Sequence, residues 1–319
     1  MTSEQVTVAP TRRRAYWHTG VLLAVVVAAG WLARRHWPVL ETGALRLAVA
    51  DQGWLLVGAA AAGLTWACAA LAQQGAVIRR LPPGRLVATQ FAACAANHVL
   101  PAGLGAGAVN LRFLMRCGLS AGRSATAVAV KATAGGIARS ALIVVLAAAC
   151  PGILRMPHIS GLSSVSGGWA VVFATVLCVA LLLGMRWWSR CRPALAAVLA
   201  DIKAIHARPR RAAALWGGSL AFAALHALVL IAVTRAVALP LAPARVALLY
   251  LAASSAAVLL PTPGGLGSLD AALGLALASA GAPAAAAASA VLGYRLLTMW
   301  LPLVPGLLVL GVLIRRKAL

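Results

Sequence analysis

Apolar positions along this chain do not alternate or recur once per turn; they run in long unbroken stretches. A bilayer core of roughly 30 Å needs about 20 apolar residues as a helix. Six stretches meet that length, at about 16–33, 54–78, 124–149, 168–186, 213–234 and 286–314. Two more apolar segments, at about 86–116 and 246–280, are interrupted by Pro and Gly. The expected fold is therefore all-α, a polytopic integral membrane helix bundle. The first span follows Arg12, Arg13 and Arg14 and could pass for a signal peptide. The WLARRHW that comes after it offers no small-residue cleavage site, which favours a retained anchor.

The two broken segments resemble each other. One reads NHVLPAGLGAGAVN from Asn97 to Asn110, the other AVLLPTPGGLGSLD from Ala257 to Asp270. Each is an apolar helix ending in Leu-Pro, then a glycine-rich turn with Gly-Leu-Gly, then a second helix. Pro101 and Pro261 lie 160 residues apart, half the chain length of 319. Downstream, Gly118 and Gly281 each open a run of small residues leading to Val128 and Val291, followed by Lys131 and Arg295. This spacing predicts an internal duplication. A basic cytoplasmic tail (1–15) would precede a single transmembrane domain (16–319), with a first repeat at about 16–150 and a second at about 168–314.

Composition and charge extend this reading. Hydrophobic residues make up 62% and charged residues 10%, against about 25% charged in a soluble domain. The formal charge is +23, from 28 Lys and Arg against five acids: Glu4, Glu41, Asp51, Asp201 and Asp270. On a soluble protein that balance would suggest nucleic acid; here the bilayer must come first. Loops near span ends on the cytoplasmic side are enriched in Lys and Arg. If each broken segment enters and leaves on one face and the N-terminus is inside, nineteen basic residues fall inside. They sit at 12–14, 79–123, 186–211 and 315–317. Six fall outside: Arg34, Arg35, Arg46, Arg155, Arg235 and Arg245. Three remain within spans: Lys131, Arg139 and Arg295.

Three spans plus one re-entrant hairpin per half is an odd number of crossings, so the two repeats must be inverted. Inverted repeats whose broken helices meet near the midplane are a transporter layout. Irregular backbone at membrane depth is tolerated only in protein or beside a wet cavity. A central polar cavity between the hairpins is the expectation.

Ionisable groups inside spans are costly and are functional candidates by default. Asp270 is the one acid of the membrane-embedded part. It could cap the helix after the second turn, pair with Arg295, or take up and release a proton. Arg295 lies too deep to snorkel to the interface, and a guanidinium suits a phosphate. Lys131 and Arg139, eight residues apart on one helix, share a side of the cavity or face neighbouring carbonyls. Asn97 and His98 are candidate polar lining, whereas His226 reads as a hydrogen-bonded packing residue. The turn residues Pro101, Gly103, Gly105, Gly107, Pro261, Pro263, Gly264, Gly265 and Gly267 let each hairpin reverse. Their N–H groups could also cradle an anion. The basic amphipathic stretch 187–212 is expected against anionic headgroups, anchored by Trp187 and Trp188.

Other chemistries find little support. The six cysteines are scattered without a C-x-x-C pair, and no two histidines stand at i, i+4. Neither a disulfide framework, nor a metal site, nor a cofactor is expected. GLGAGA at 103–108 formally matches a dinucleotide fingerprint but lacks the βαβ context that gives it meaning.

PTPGGLGSLD followed by YRLLTMWLP, with the upstream N-x-x-LP-x-x-x-G element, resembles the lysylphosphatidylglycerol synthase transmembrane-region, or flippase-like UPF0104, family. The likeness covers most of the chain. It implies movement of lysyl-phosphatidylglycerol or a related lipid across the bilayer, other members being linked to hopanoid or glycolipid pathways. Synthase activity in fused members resides in an extra soluble domain. The chain ends at Leu319 after its last span, so the resemblance implies translocation without aminoacyl transfer and no enzyme activity. Two departures matter. Asp270 stands where the family usually has Glu, and Lys131-Ala132 where it often has a Glu-Arg pair.

The function expected is that of an inner-membrane lipid translocase acting on an anionic or zwitterionic headgroup, without nucleic acid as a partner. Both termini would be cytoplasmic. A membrane enzyme, or a non-catalytic partner of a lipid-modifying enzyme, is the alternative.

Overall fold

The computed structural model describes residues 41, 45–99, 104–149, 200, 202–258 and 267–315. Among these the regular structure is helical throughout. Helices α1 (Gln52–Gly75), α2 (Pro83–Val99), α3 (Leu104–Arg116) and α4 (Ala121–Ala149) form the first half. Helices α5 (Pro209–Ala236), α6 (Pro243–Val258), α7 (Ser268–Ser279) and α8 (Ala284–Arg295) follow. A π-helical turn, Leu296–Trp300, then joins α8 to α9 (Leu301–Arg315). Four of the described helices are long and apolar enough to cross a membrane: α1, α4, α5 and the continuous run Ala284–Leu313. They match four of the expected spans. The spans expected at about 16–33 and 168–186 lie outside the described residues, as does most of the 187–212 stretch.

The broken segments form paired short helices. At a 1.5 Å rise, the 17 residues of α2 and 13 of α3 are each shorter than a hydrocarbon core. The same holds for the 16 of α6 and 12 of α7. Within each pair the helices pack on one another. Gly105 shows how closely the first pair approaches: a Cβ there would run into the backbone of Ala96 and Asn97.

The most extensive packing joins α1 to α5. The two run antiparallel, because Gly75 meets Leu215 at one end and Asp51 N–H bonds Ala236 O (3.0 Å) at the other. In a bilayer, apolar burial alone does not drive helices together, so small residues that admit close backbone contact take over that task. A Cβ on Gly218 would lie 2.7 Å from the Ala72 nitrogen. At the α1–α5 end near Gly75, Arg211 Nη1 donates to Gln74 O (2.8 Å). The described tail of the amphipathic stretch docks there too: Ile205 is buried while Lys203, His206 and Arg208 are exposed.

The π turn has a local cause. Pro302 and Pro305 remove two N–H donors just beyond it, and Leu301 N bonds Leu296 O, five residues back. π turns of this kind frequently mark functional sites.

Candidate functional site

Two polar centres lie at depth. The first begins with a hydrogen-bond chain across the α2–α3 hairpin. Lys131 Nζ on α4 donates to Gln90 Oε1 (2.9 Å), and Gln90 Nε2 donates to Asn110 Oδ1 (2.9 Å). Asn110 Nδ2 then reaches Ala106 O (2.8 Å), one turn back on α3. A single amide, Gln90, thereby ties both arms of the hairpin to the cation of α4. These residues edge a cavity of about 680 Å³ walled by α1 to α5 and touched by Thr298 of the π turn. Its polar lining includes Gln73, Asn97, Lys131, Arg139, Ser219 and His226. Lys131 and Arg139 thus share one cavity wall, as two turns of helix should place them.

Two of these groups have unused hydrogen-bonding capacity. Gln73 is 0% exposed, yet neither its Nε2 nor its Oε1 has a partner, and Arg139 Nε is likewise buried without one. Each buried unpartnered polar group costs about 1–3 kcal/mol.

The second centre is built around Asp270 at the third position of α7. Its Oδ2 accepts from Gly267 N (3.0 Å), capping the helix, while Oδ1 pairs with Arg295 Nε. Gly267 can hold this cap because its φ of 87° suits glycine. Arg295 is 7% exposed and also reaches Met299 Sδ through Nη1 (3.9 Å). Among the described residues this is the one ion pair, so capping and pairing coexist.

Asp270 and Arg295 do not line the cavity that holds Lys131 and Arg139. An aromatic relay lies between the two centres. His226 Nδ1 bonds the Tyr294 hydroxyl (3.0 Å), which donates to Tyr250 Oη (3.1 Å), and Tyr294 directly precedes Arg295. His226 also stands edge-on to Phe222, with ring centroids 4.6 Å apart. It is hydrogen-bonded and packed as expected, and it additionally faces the cavity.

Of the other expected residues, Gly107 borders the cavity, whereas Gly105 serves close packing. His98 falls in α2, its side chain outside the described set. Pro101, Gly103, Pro261, Pro263, Gly264 and Gly265 lie outside the described residues altogether. Gln73, Gln90, Tyr294 and Thr298 were not singled out from the sequence. A glutamine in an apolar span, as at 73 within α1, was the available signal. No three of the described His, Cys, Asp and Glu residues gather as a metal site. A separate recess of about 810 Å³ opens at the Arg211 end, lined by Arg79, Ser120 and Arg123; these arginines are exposed, whereas the cations of the cavity are half-buried.

Long apolar spans, paired half-length helices and buried ionisable groups define a multi-pass membrane protein. The model of the lysylphosphatidylglycerol synthase TM region matches residues 19–306, and the chain belongs to that family. No curated protein matches it in sequence.

Proposed function

We propose that this protein is a lipid translocase of the bacterial inner membrane, carrying a phospholipid, an aminoacyl-phospholipid or a related lipid between leaflets. The observation that carries this reading is the cavity beside the α2–α3 hairpin, where Lys131 and Arg139 stand at membrane depth near the unpartnered amide of Gln73. Family membership supports it. The headgroup enters the cavity with its phosphate toward the two cations, while the acyl chains stay in the bilayer. Translocation requires no covalent step, so the protein acts without enzyme activity.

In this reading the two halves are inverted and the termini are cytoplasmic. The recess with Arg79 and Arg123 then faces the anionic inner leaflet. The Asp270–Arg295 pair holds the second hairpin and offers a carboxylate for charge balance or proton coupling.

Reconstitution in liposomes with fluorescent lipids tests the proposal. Charge-assisted hydrogen bonds are worth about 1.5–3 kcal/mol each, so Lys131→Ala with Arg139→Ala should slow headgroup transfer by about tenfold or more. Transfer at the wild-type rate by that double variant would remove the cavity from the mechanism.

A further inference from the structure

The cavity contains cations and neutral amides but, among the described residues, no carboxylate. Acids are so few that all can be followed. Asp51 caps α1, its Oδ1 accepting from Gly53 N (2.7 Å) and Trp54 N (3.2 Å). Asp270 is held by Arg295 and Gly267. Glu41 is exposed. Glu4 and Asp201 fall outside the described residues, and the remaining undescribed segments contain no acid at all. The cations are also uncompensated from within: Lys131 is met by the neutral Gln90, and Arg139 Nε has no partner.

We infer that the cavity selects a phosphate-bearing headgroup with hydroxyl groups and no ammonium group. This rests on the reading of the cavity as a headgroup site and narrows it. The phosphate supplies the negative charge that Lys131 and Arg139 lack. Asn97, half-buried on the cavity wall and able both to donate and to accept, suits a hydroxyl of a glycerol or sugar headgroup. An amine carried by an aminoacylated lipid, or by phosphatidylethanolamine, would sit beside two cations with no carboxylate to receive it. Like charges in a desolvated site exclude a partner more effectively than attraction recruits one. The family's name refers to an aminoacylated lipid; the charge of this cavity points to its anionic, amine-free counterpart.

Binding, rather than transport, separates this inference from the function it rests on. The full chain would be placed in phosphatidylcholine nanodiscs doped with phosphatidylglycerol, lysyl-phosphatidylglycerol or phosphatidylethanolamine, and the half-saturating lipid fraction read from thermal stabilisation. Phosphatidylglycerol should saturate at a fraction about tenfold lower than either amine-bearing lipid, given the cost of like-charge contacts. Lys131→Gln and Arg139→Gln, singly and together, should shrink that preference. Exchanging Arg79 and Arg123 for Gln should leave it in place. Gln73→Glu, nearly isosteric, should shift it toward lysyl-phosphatidylglycerol.

Equal or tighter binding of lysyl-phosphatidylglycerol by the wild type would overturn the inference. So would a preference that survives in Lys131→Gln/Arg139→Gln. Soluble glycerol 3-phosphate competing as strongly as the lipid would keep the headgroup chemistry and overturn the lipid source. Retained preference without any transfer in liposomes would overturn the proposed function alone.

Discussion

Lys131 and Arg295 each follow one of the two broken segments, and their surroundings differ. Arg295 is neutralised by Asp270, the same carboxylate that caps α7. Lys131 meets only the amide of Gln90, and its helix carries a second cation, Arg139, toward the same cavity. One centre satisfies itself and fixes a hairpin. The other carries positive charge without a carboxylate beside it among the described residues. A buried cation is therefore a candidate for binding or for structure according to its counter-charge, not its depth.

Removing one partner of each centre separates them most sharply. Asp270→Ala removes the carboxylate beside Arg295, whose side chain is 9% exposed, a loss of up to about 3–5 kcal/mol where a buried charge loses its counter-charge. Replacing both members by apolar residues (Asp270→Leu with Arg295→Met) should recover most of that. Lys131→Met should cost less, about 1–3 kcal/mol, because it strands only the neutral Gln90 oxygen. Melting temperatures of the purified variants in detergent give the order. A Lys131→Met variant less stable than Asp270→Ala would reverse the comparison.

The first hairpin can be challenged next through its glycines. Gly105→Ala forces a methyl into the Ala96 backbone and should cost about 1–3 kcal/mol by overpacking. At Gly107 the same change enters open space at the cavity wall, so stability should hold. Equal melting of the two variants would show that the arms are not held at the distance described.

The smallest effect concerns the relay between the centres. Tyr294→Phe removes the hydroxyl shared by His226 and Tyr250, worth about 0.5–1.5 kcal/mol net. It should lower the melting temperature slightly, with the lipid preference of the Lys131 cavity unaltered. A changed preference would couple the two centres.

Much of the architecture was legible before any fold was known. The lengths of apolar runs gave α1, α4, α5 and the last span, because a helix must match the bilayer thickness and must satisfy its own backbone there. Leu-Pro and Gly-rich stretches marked both breaks, since Pro lacks a backbone donor and Gly tolerates reversal of the chain. The shared wall of Lys131 and Arg139 followed from helical periodicity alone, and Asp270 at a helix start already implied a cap. The scarcity of acids was also written in the chain, and it limits what can neutralise a cation anywhere in the fold.

The tertiary structure decided which groups meet. That Asp270 takes Arg295, and that the pair stands apart from the Lys131 cavity, depends on how α7 and α8 pack, which spacing of 25 residues does not encode. Gln90 became the link between hairpin and α4, and Gln73 a cavity residue, only through contacts between distant helices. Sequence fixes the solvent each segment requires and the charges it carries. Packing chooses each charge's partner, because partners 41 residues apart, as Lys131 and Gln90 are, can be joined only by helices brought side by side.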